Sequence, residues 1–146
     1  MKTAAEILKS KAKQAVHTIA PGDSVFDAVK LMADKNIGAL LVMEADRIAG
    51  IVTERDYARK IVLMSRSSKE TPVREIMTSA VMYVRPGQTS DECMVLMTEN
   101  RLRHLPVIDG DKLLGLISIG DLVKSIISEQ RFTIEQLEHY ISGGSS

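Results

Sequence analysis

The chain has 146 residues, 45% hydrophobic and 26% charged, with a formal net charge of zero. That balance gives no electrostatic case for a nucleic-acid or membrane partner, and an aromatic content of 3% without tryptophan offers no platform for stacking bases. The single cysteine, Cys93, excludes an intramolecular disulfide or a cysteine-based metal cluster; no apolar run reaches the roughly 18 residues of a membrane helix, and Glu6 and Lys9 stand where a signal peptide would be apolar, so a cytoplasmic protein is expected.

In chain order, Thr3-Ala4-Ala5-Glu6 reads as a capping box opening a short helix through Ile7 and Leu8. Lys9, Lys11 and Lys13 follow in a basic, looped stretch. Val16 to Ile19 reads as a strand, Pro21-Gly22-Asp23 as a turn, and Ser24 to Asp27 as a second capping box. Val25, Ala28, Val29, Met32 and Ala33 then recur at helical spacing up to about Asn36. Ala39 to Met43 and Arg47 to Val52 pair as a hairpin around Ala45-Asp46, and Thr53 starts another helix. Residues 62–72 connect, and Thr71-Pro72 starts a short helix with Pro72 at its first position.

The pattern then returns. Residues 16–61 align with 81–126 at a constant offset of 65 without a gap, and eleven of the 46 pairs are identical. These include Pro21/Pro86, Gly22/Gly87, Leu40/Leu105, Val42/Val107, Gly50/Gly115 and Asp56/Asp121. The second hairpin turns at Gly110-Asp111 after Asp109, a strong hairpin signal. Each copy is a β-α-β-β-α unit, and the fold expected is α+β, two such units packed about a pseudo-twofold axis. The divisions are 1–15 (lead-in helix and basic loop), 16–61 (first repeat), 62–80 (linker and short helix), 81–126 (second repeat) and 127–146 (C-terminal helix and tail). The tail helix is expected to start at a Thr133 cap, to carry Ile134, Leu137 and Ile141 on one face, and to end at Gly143-Gly144, packing on the module or on a second subunit.

Two Ser/Thr-x-x-Asp motifs, Thr53 to Asp56 and Ser118 to Asp121, stand apart. The pattern is also that of a capping box, as at Thr3, Ser24, Thr89 and Thr133, and each is worth about 1 kcal/mol as a cap alone. These two, however, follow directly from a hairpin strand into a helix start, where exposed N–H groups favour an anion. The hydroxyl can donate to a phosphate oxygen, whereas an ionised Asp accepts only and suits the paired hydroxyls of a ribose. A nucleotide satisfies both residues together.

With these residues in place, the chain resembles tandem cystathionine-β-synthase-type (CBS) domains, the paired arrangement called a Bateman module. The resemblance covers residues 16–126 and rests on the ordered set of Pro-Gly, Leu40-Leu41-Val42 or Leu105-Pro106-Val107, Gly50 or Gly115, and Ser/Thr-x-x-Asp, present twice. It implies two clefts between the repeats that bind adenosine nucleotides (AMP, ADP, ATP or NAD(H)), no required cofactor or metal, no catalysis, assembly as a homodimer, and an enzyme or transporter as the regulated partner. Asp121 and Asp56 are implied to hold ribose, Ser118 and Thr53 to meet phosphate. Adenine contacts are implied from Ala15, Val16, His17 and Thr18 with Ile37, Gly38 and Ala39 for the Asp121 pocket. For the Asp56 pocket they are Ala80, Val81, Met82 and Tyr83 with Leu102, Arg103 and His104; Pro106 is a further binding residue.

The pockets are expected to differ. Arg55 occupies the position that is Gly120 in the second copy, and Arg103 and His104 replace Gly38 and Ala39. These three basic residues could neutralise phosphate, and the family geometry puts the Lys9–Lys13 segment near Asp121. A structural pairing module with empty clefts is the alternative. A small nucleotide-handling enzyme is the third reading: there is no P-loop or dinucleotide fingerprint, the histidines His17, His104 and His139 are scattered, and Cys93 on an apolar helix face reads as packing.

Overall fold

A computed structural model describes residues 1–11 and 16–142. Lys13, Ala15 and the Gly143-Gly144 helix end lie outside the described residues. The elements are α1 (Ala4–Ser10), β1 (Thr18–Ile19), α2 (Val25–Lys35), β2 (Ala39–Glu44), β3 (Arg47–Thr53), α3 (Glu54–Tyr57) running into a π-helical turn (Ala58–Val62), a 3-10 turn (Val73–Glu75), α4 (Ser90–Asn100), β4 (His104–Asp109), β5 (Lys112–Ser118) and α5 (Ile119–Ser142). This is the α+β class, and the second repeat keeps the element order of the first except for its first strand.

The chain forms two compact units, and neither is a repeat with the segment that precedes it. A split unit joins Met1–Ala15 to Met82–Ser146; a continuous unit holds Val16–Val81. The lead-in helix α1 therefore docks on the second repeat, while the 3-10 turn after the first repeat docks back on the first. Both dockings use matched bonds. Ala4 N–H donates to Gln88 O at 2.7 Å and Ala5 N–H to Pro86 O at 3.0 Å; Val73 N–H donates to Asp23 O at 2.8 Å and Arg74 N–H to Pro21 O at 3.0 Å. The Pro-Gly turns thus supply carbonyl acceptors for orphan N–H groups at the start of each docked turn. Apolar side chains follow them inward: Ala4 and Ile7 join the core of the split unit with Val84, Cys93, Met97, Leu105, Val107, Ile117 and Leu122. Val73 and Ile76 play the same part in the continuous unit, with Val25, Met32, Leu40, Val42, Val52 and Ile61.

This docking explains Gly50 and Gly115. A Cβ at Gly50 would lie 2.7 Å from Thr78 O and 2.8 Å from Met77 Sδ, and one at Gly115 would lie 2.8 Å from Leu8 Cδ2. Each hairpin is bare where the docked segment crosses it.

In the continuous unit the sheet has order β1-β2-β3, with β1 parallel to β2 (Thr18 opposite Leu41, Ile19 opposite Val42). In the split unit β4 and β5 pair antiparallel, and the expected first strand shrinks to one parallel bridge, Val84 with Val107. The residue that corresponds to Leu41 is Pro106, which has no N–H to give that ladder.

Three further expectations are corrected. Thr133 does not cap a separate helix: α5 runs unbroken through it, because residues 119–142 hold no proline and no glycine after Gly120. Its hydroxyl instead donates to Glu129 O at 3.0 Å, one turn back. Every residue from Gln130 to Ile141 is exposed, so the apolar face of Ile134, Leu137 and Ile141 stays open rather than packing on the module. Pro72 is the cap of its 3-10 turn, with φ −73° and ψ 150°, rather than its first helical residue.

Candidate functional site

Hairpin register builds both candidate sites. In the continuous unit Ala39 pairs with Thr53, and Glu54 N–H donates to Gly38 O at 3.1 Å, so Gly38, Ala39, Thr53, Arg55 and Asp56 converge where β3 becomes α3. In the split unit His104 pairs with Ser118, and Ile119 N–H donates to Arg103 O at 2.8 Å, which gathers Arg103, His104, Ser118, Gly120 and Asp121 at the start of α5. Residues 102–104 were expected with the Asp56 pocket; within the split unit the β4–β5 register seats Arg103 and His104 at the same helix start as Asp121.

Both Ser/Thr-x-x-Asp motifs close as capping boxes. Asp56 N–H donates to Thr53 Oγ1 at 3.2 Å, and Thr53 returns its N–H to Asp56 Oδ2 at 3.0 Å and its hydroxyl to the same oxygen at 3.1 Å. Asp121 N–H donates to Ser118 Oγ at 3.1 Å, and Ser118 N–H donates to Asp121 Oδ2 at 2.8 Å. Each carboxylate is then met by a lysine. Lys11 Nζ lies 2.9 Å from Asp121 Oδ2 and donates to Leu116 O at 2.7 Å. Lys60 Nζ lies 3.2 Å from Asp56 Oδ1 and donates to Ile76 O at 2.8 Å.

The electrostatics of the split unit follow from this set. Burial pushes the Asp121 carboxyl up, but the Ser118 N–H, Lys11 and the Ser118 side chain together hold it below the usual carboxylate value. Asp121 is therefore an ionised acceptor at neutral pH. Burial lowers His104; Asp121 pulls it up, and Lys11 and Arg103 push it down again. The net lowering corrects the expectation that His104 supplies positive charge: at neutral pH it is a neutral donor and acceptor, and the cations here are Lys11 and Arg103.

The remaining expected residues are placed only within their own units. Ile37 and Leu102 are half-buried against their own units' cores, and Pro106 is buried in β4. Val16 and His17 are half-buried and Thr18 is exposed at β1; Ala80, Met82 and Tyr83 are exposed and Val81 is half-buried. Arg55 and Gly120 are exposed, each second in its helix. A Cβ at Gly120 would meet Ser118 Oγ at 3.6 Å, an ordinary contact, so packing among the described residues does not require glycine there. Cys93 is buried in the core, and its thiol is raised first by burial and then by Glu92, away from thiolate chemistry. Sequence reasoning missed Lys60, which the four-residue spacing from Asp56 could have flagged.

No helix among the described residues is long and apolar enough to cross a membrane. The family model for the CBS domain matches residues 4–63 and again 73–128. The chain is 43% identical to the mitochondrial CBS domain-containing protein CBSX3 of Arabidopsis thaliana, over 97% of this chain and 73% of that protein. A solved protein with CBS domains from Burkholderia ambifaria MC40-6 is 64% identical, covers 88% of this chain and 96% of its own, and superposes with a TM-score of 0.85. The CBS domain pair of protein MJ0100, solved with 5-methylthioadenosine and S-adenosyl-L-methionine, shares the fold at 21% identity and a TM-score of 0.77, over 88% of this chain and 98% of its own. The chain belongs to the CBS domain family, as a tandem of two CBS domains.

Proposed function

We propose that this protein is a non-catalytic regulatory module that binds adenosine nucleotides at two unequal sites, one at Asp121 and one at Asp56. The observation that carries the reading is that each repeat ends its hairpin on a half-buried, hydrogen-bonded aspartate with a cation beside it. An ionised carboxylate suits the hydroxyl pair of a ribose, and an ammonium suits a phosphate. Ser118 and Gly120, with Arg103 and His104, complete the first site; Thr53 and Arg55, with Gly38 and Ala39, complete the second. Adenine contacts from Val16 to Thr18 and from Ala80 to Tyr83, and the roles of Ile37, Leu102 and Pro106, belong to the same proposal. AMP is the first candidate, with ADP, ATP and NAD(H) beside it; the CBS pair of MJ0100 holds adenosine compounds of another charge. A second copy of the chain, for which the open face of α5 offers surface, a regulated enzyme or transporter, and a cytoplasmic setting complete the reading. Ligand acts by shifting populations of packing states.

The closed capping boxes favour one competing reading, a structural pairing module in which both aspartates only cap helices. A thermal-melt screen separates the two. Ligand at 100 times its dissociation constant stabilises by about 2.7 kcal/mol, a rise of several degrees. The sensor reading expects that rise with at least one of AMP, ADP, ATP or NAD(H), reduced in Asp121→Asn and in Asp56→Asn. No rise with any adenosine compound leaves the structural module.

A further inference from the structure

We propose that Lys11 and Lys60 act as charge selectors, making each site favour an adenosine ligand that carries a phosphate over an uncharged adenosine. The inference rests on the nucleotide reading above. Each carboxylate that would hold ribose is met by an ammonium, and that ammonium is pinned a second time by a backbone carbonyl: Lys11 by Asp121 and Leu116 O, Lys60 by Asp56 and Ile76 O. The two lysines do not correspond in the repeats. The position equivalent to Lys60 is Ser125, buried within α5, and Lys11 comes from the docked lead-in instead. The same pair of bonds is thus built twice from unrelated parts of the chain.

A ribose that takes the carboxylate replaces a charged partner with two neutral hydroxyls. The displaced ammonium is then left without its anion, a costly outcome for the half-buried Lys11 and a smaller one for the exposed Lys60. A 5′-phosphate on the same ribose gives that ammonium a new anion, so the exchange keeps its charge-assisted bond. Uncharged adenosine offers no such exchange, and cationic S-adenosylmethionine adds repulsion. The effect is larger at Asp121. Lys11 and Asp121 are 25% and 17% exposed, against 45% for Lys60, so water screens the first pair less. Arg103 adds a second cation beside His104 in that site, whereas the other site sets Arg55 next in the chain to Glu54, which stands beside Gly38.

The test is calorimetric titration of the full chain with AMP and with adenosine, on the wild type, Lys11→Met, Lys11→Arg and Lys60→Met, each checked for folding by circular dichroism. The wild type should prefer AMP by about tenfold or more, the size of one charge-assisted hydrogen bond. Lys11→Met should weaken AMP, strengthen adenosine and erase that preference at the tighter site; Lys60→Met should do the same more weakly at the other. Lys11→Arg should keep the wild-type preference. If Lys11→Met fails to fold, Lys11→Gln replaces it. An unchanged ratio in both lysine variants, or no preference in the wild type, overturns this inference while leaving nucleotide binding standing. No binding of AMP, ADP, ATP, NAD(H) or adenosine overturns both.

Discussion

The two units solve the same problem with different parts. In the continuous unit the cation beside the site aspartate comes from the same helical run, one turn after Asp56. In the split unit it comes from a lead-in that docks from the far end of the chain, bringing Lys11 to Asp121. The first arrangement is local. The second exists only when α1 is seated, so the electrostatics of the Asp121 site depend on a tertiary contact. The difference teaches that equal motifs in a repeat do not make equal sites.

The largest test of this comparison is steric. A Cβ at Gly50 meets a backbone oxygen that cannot step aside, whereas at Gly115 it meets the end of a leucine side chain. Gly50→Ala is expected to cost about 3 kcal/mol and Gly115→Ala about 1 kcal/mol in urea unfolding followed by circular dichroism. Adding Leu8→Ala to Gly115→Ala should be less than additive, because the clash goes with the leucine. Equal costs at the two glycines would mean that the docked segments are equally yielding.

The next effect is one of pH, and it belongs to the split unit. The folded values of His104 and Asp121 both lie below their ordinary ones. The unfolded chain therefore binds more protons in each window, and stability rises with pH there. The His104 contribution is complete above about pH 6.5 and is lost as pH falls from there through its folded value. The Asp121 contribution is lost below about pH 3.9 in the same way. Denaturation midpoints measured from pH 7.5 to 5 should fall, and His104→Gln should flatten that fall. A wild-type midpoint that rises on acidification would contradict the half-buried, neutral assignment of His104.

The smallest effect compares the two hairpin turns. Ala45 and Gly110 occupy the same turn position with φ of 56° and 62°. A side chain is strained there by about 1–2 kcal/mol, offset in part by the entropy of the added glycine. Ala45→Gly should gain, and Gly110→Ala, where a Cβ meets nothing within 4 Å, should cost, a similar amount of about 0.5 kcal/mol for backbone reasons alone.

What the sequence made legible was local or periodic. The caps at Thr3, Ser24 and Thr89, the helices α2 and α4 and both hairpins follow from side-chain patterns a few residues long. The 65-residue offset then fixed which residues correspond. The exchange of lead-ins was hidden, because Ala4 bonds to Gln88 and Val73 to Asp23 across long stretches of chain, and either pairing would satisfy the same apolar pattern. The lost first strand of the second repeat was readable in principle from Pro106. Thr133 misled because the capping pattern is also what a mid-helix threonine followed by glutamates looks like; only the lack of a breaker before it decides. The convergence of Thr53 with Asp56 and of Ser118 with Asp121 was legible from the motifs, while the lysine on Asp121 was legible only through the family resemblance, which put the Lys9–Lys13 segment near it, since nothing local joins position 11 to position 121.

The most direct test of two unequal nucleotide sites is isothermal titration of the full chain with AMP, repeated with Asp121→Asn and Asp56→Asn. Two binding events per chain are expected, the tighter lost in Asp121→Asn and the weaker lost in Asp56→Asn. A titration without heat at any temperature tried, or one in which both variants keep both events, would contradict it.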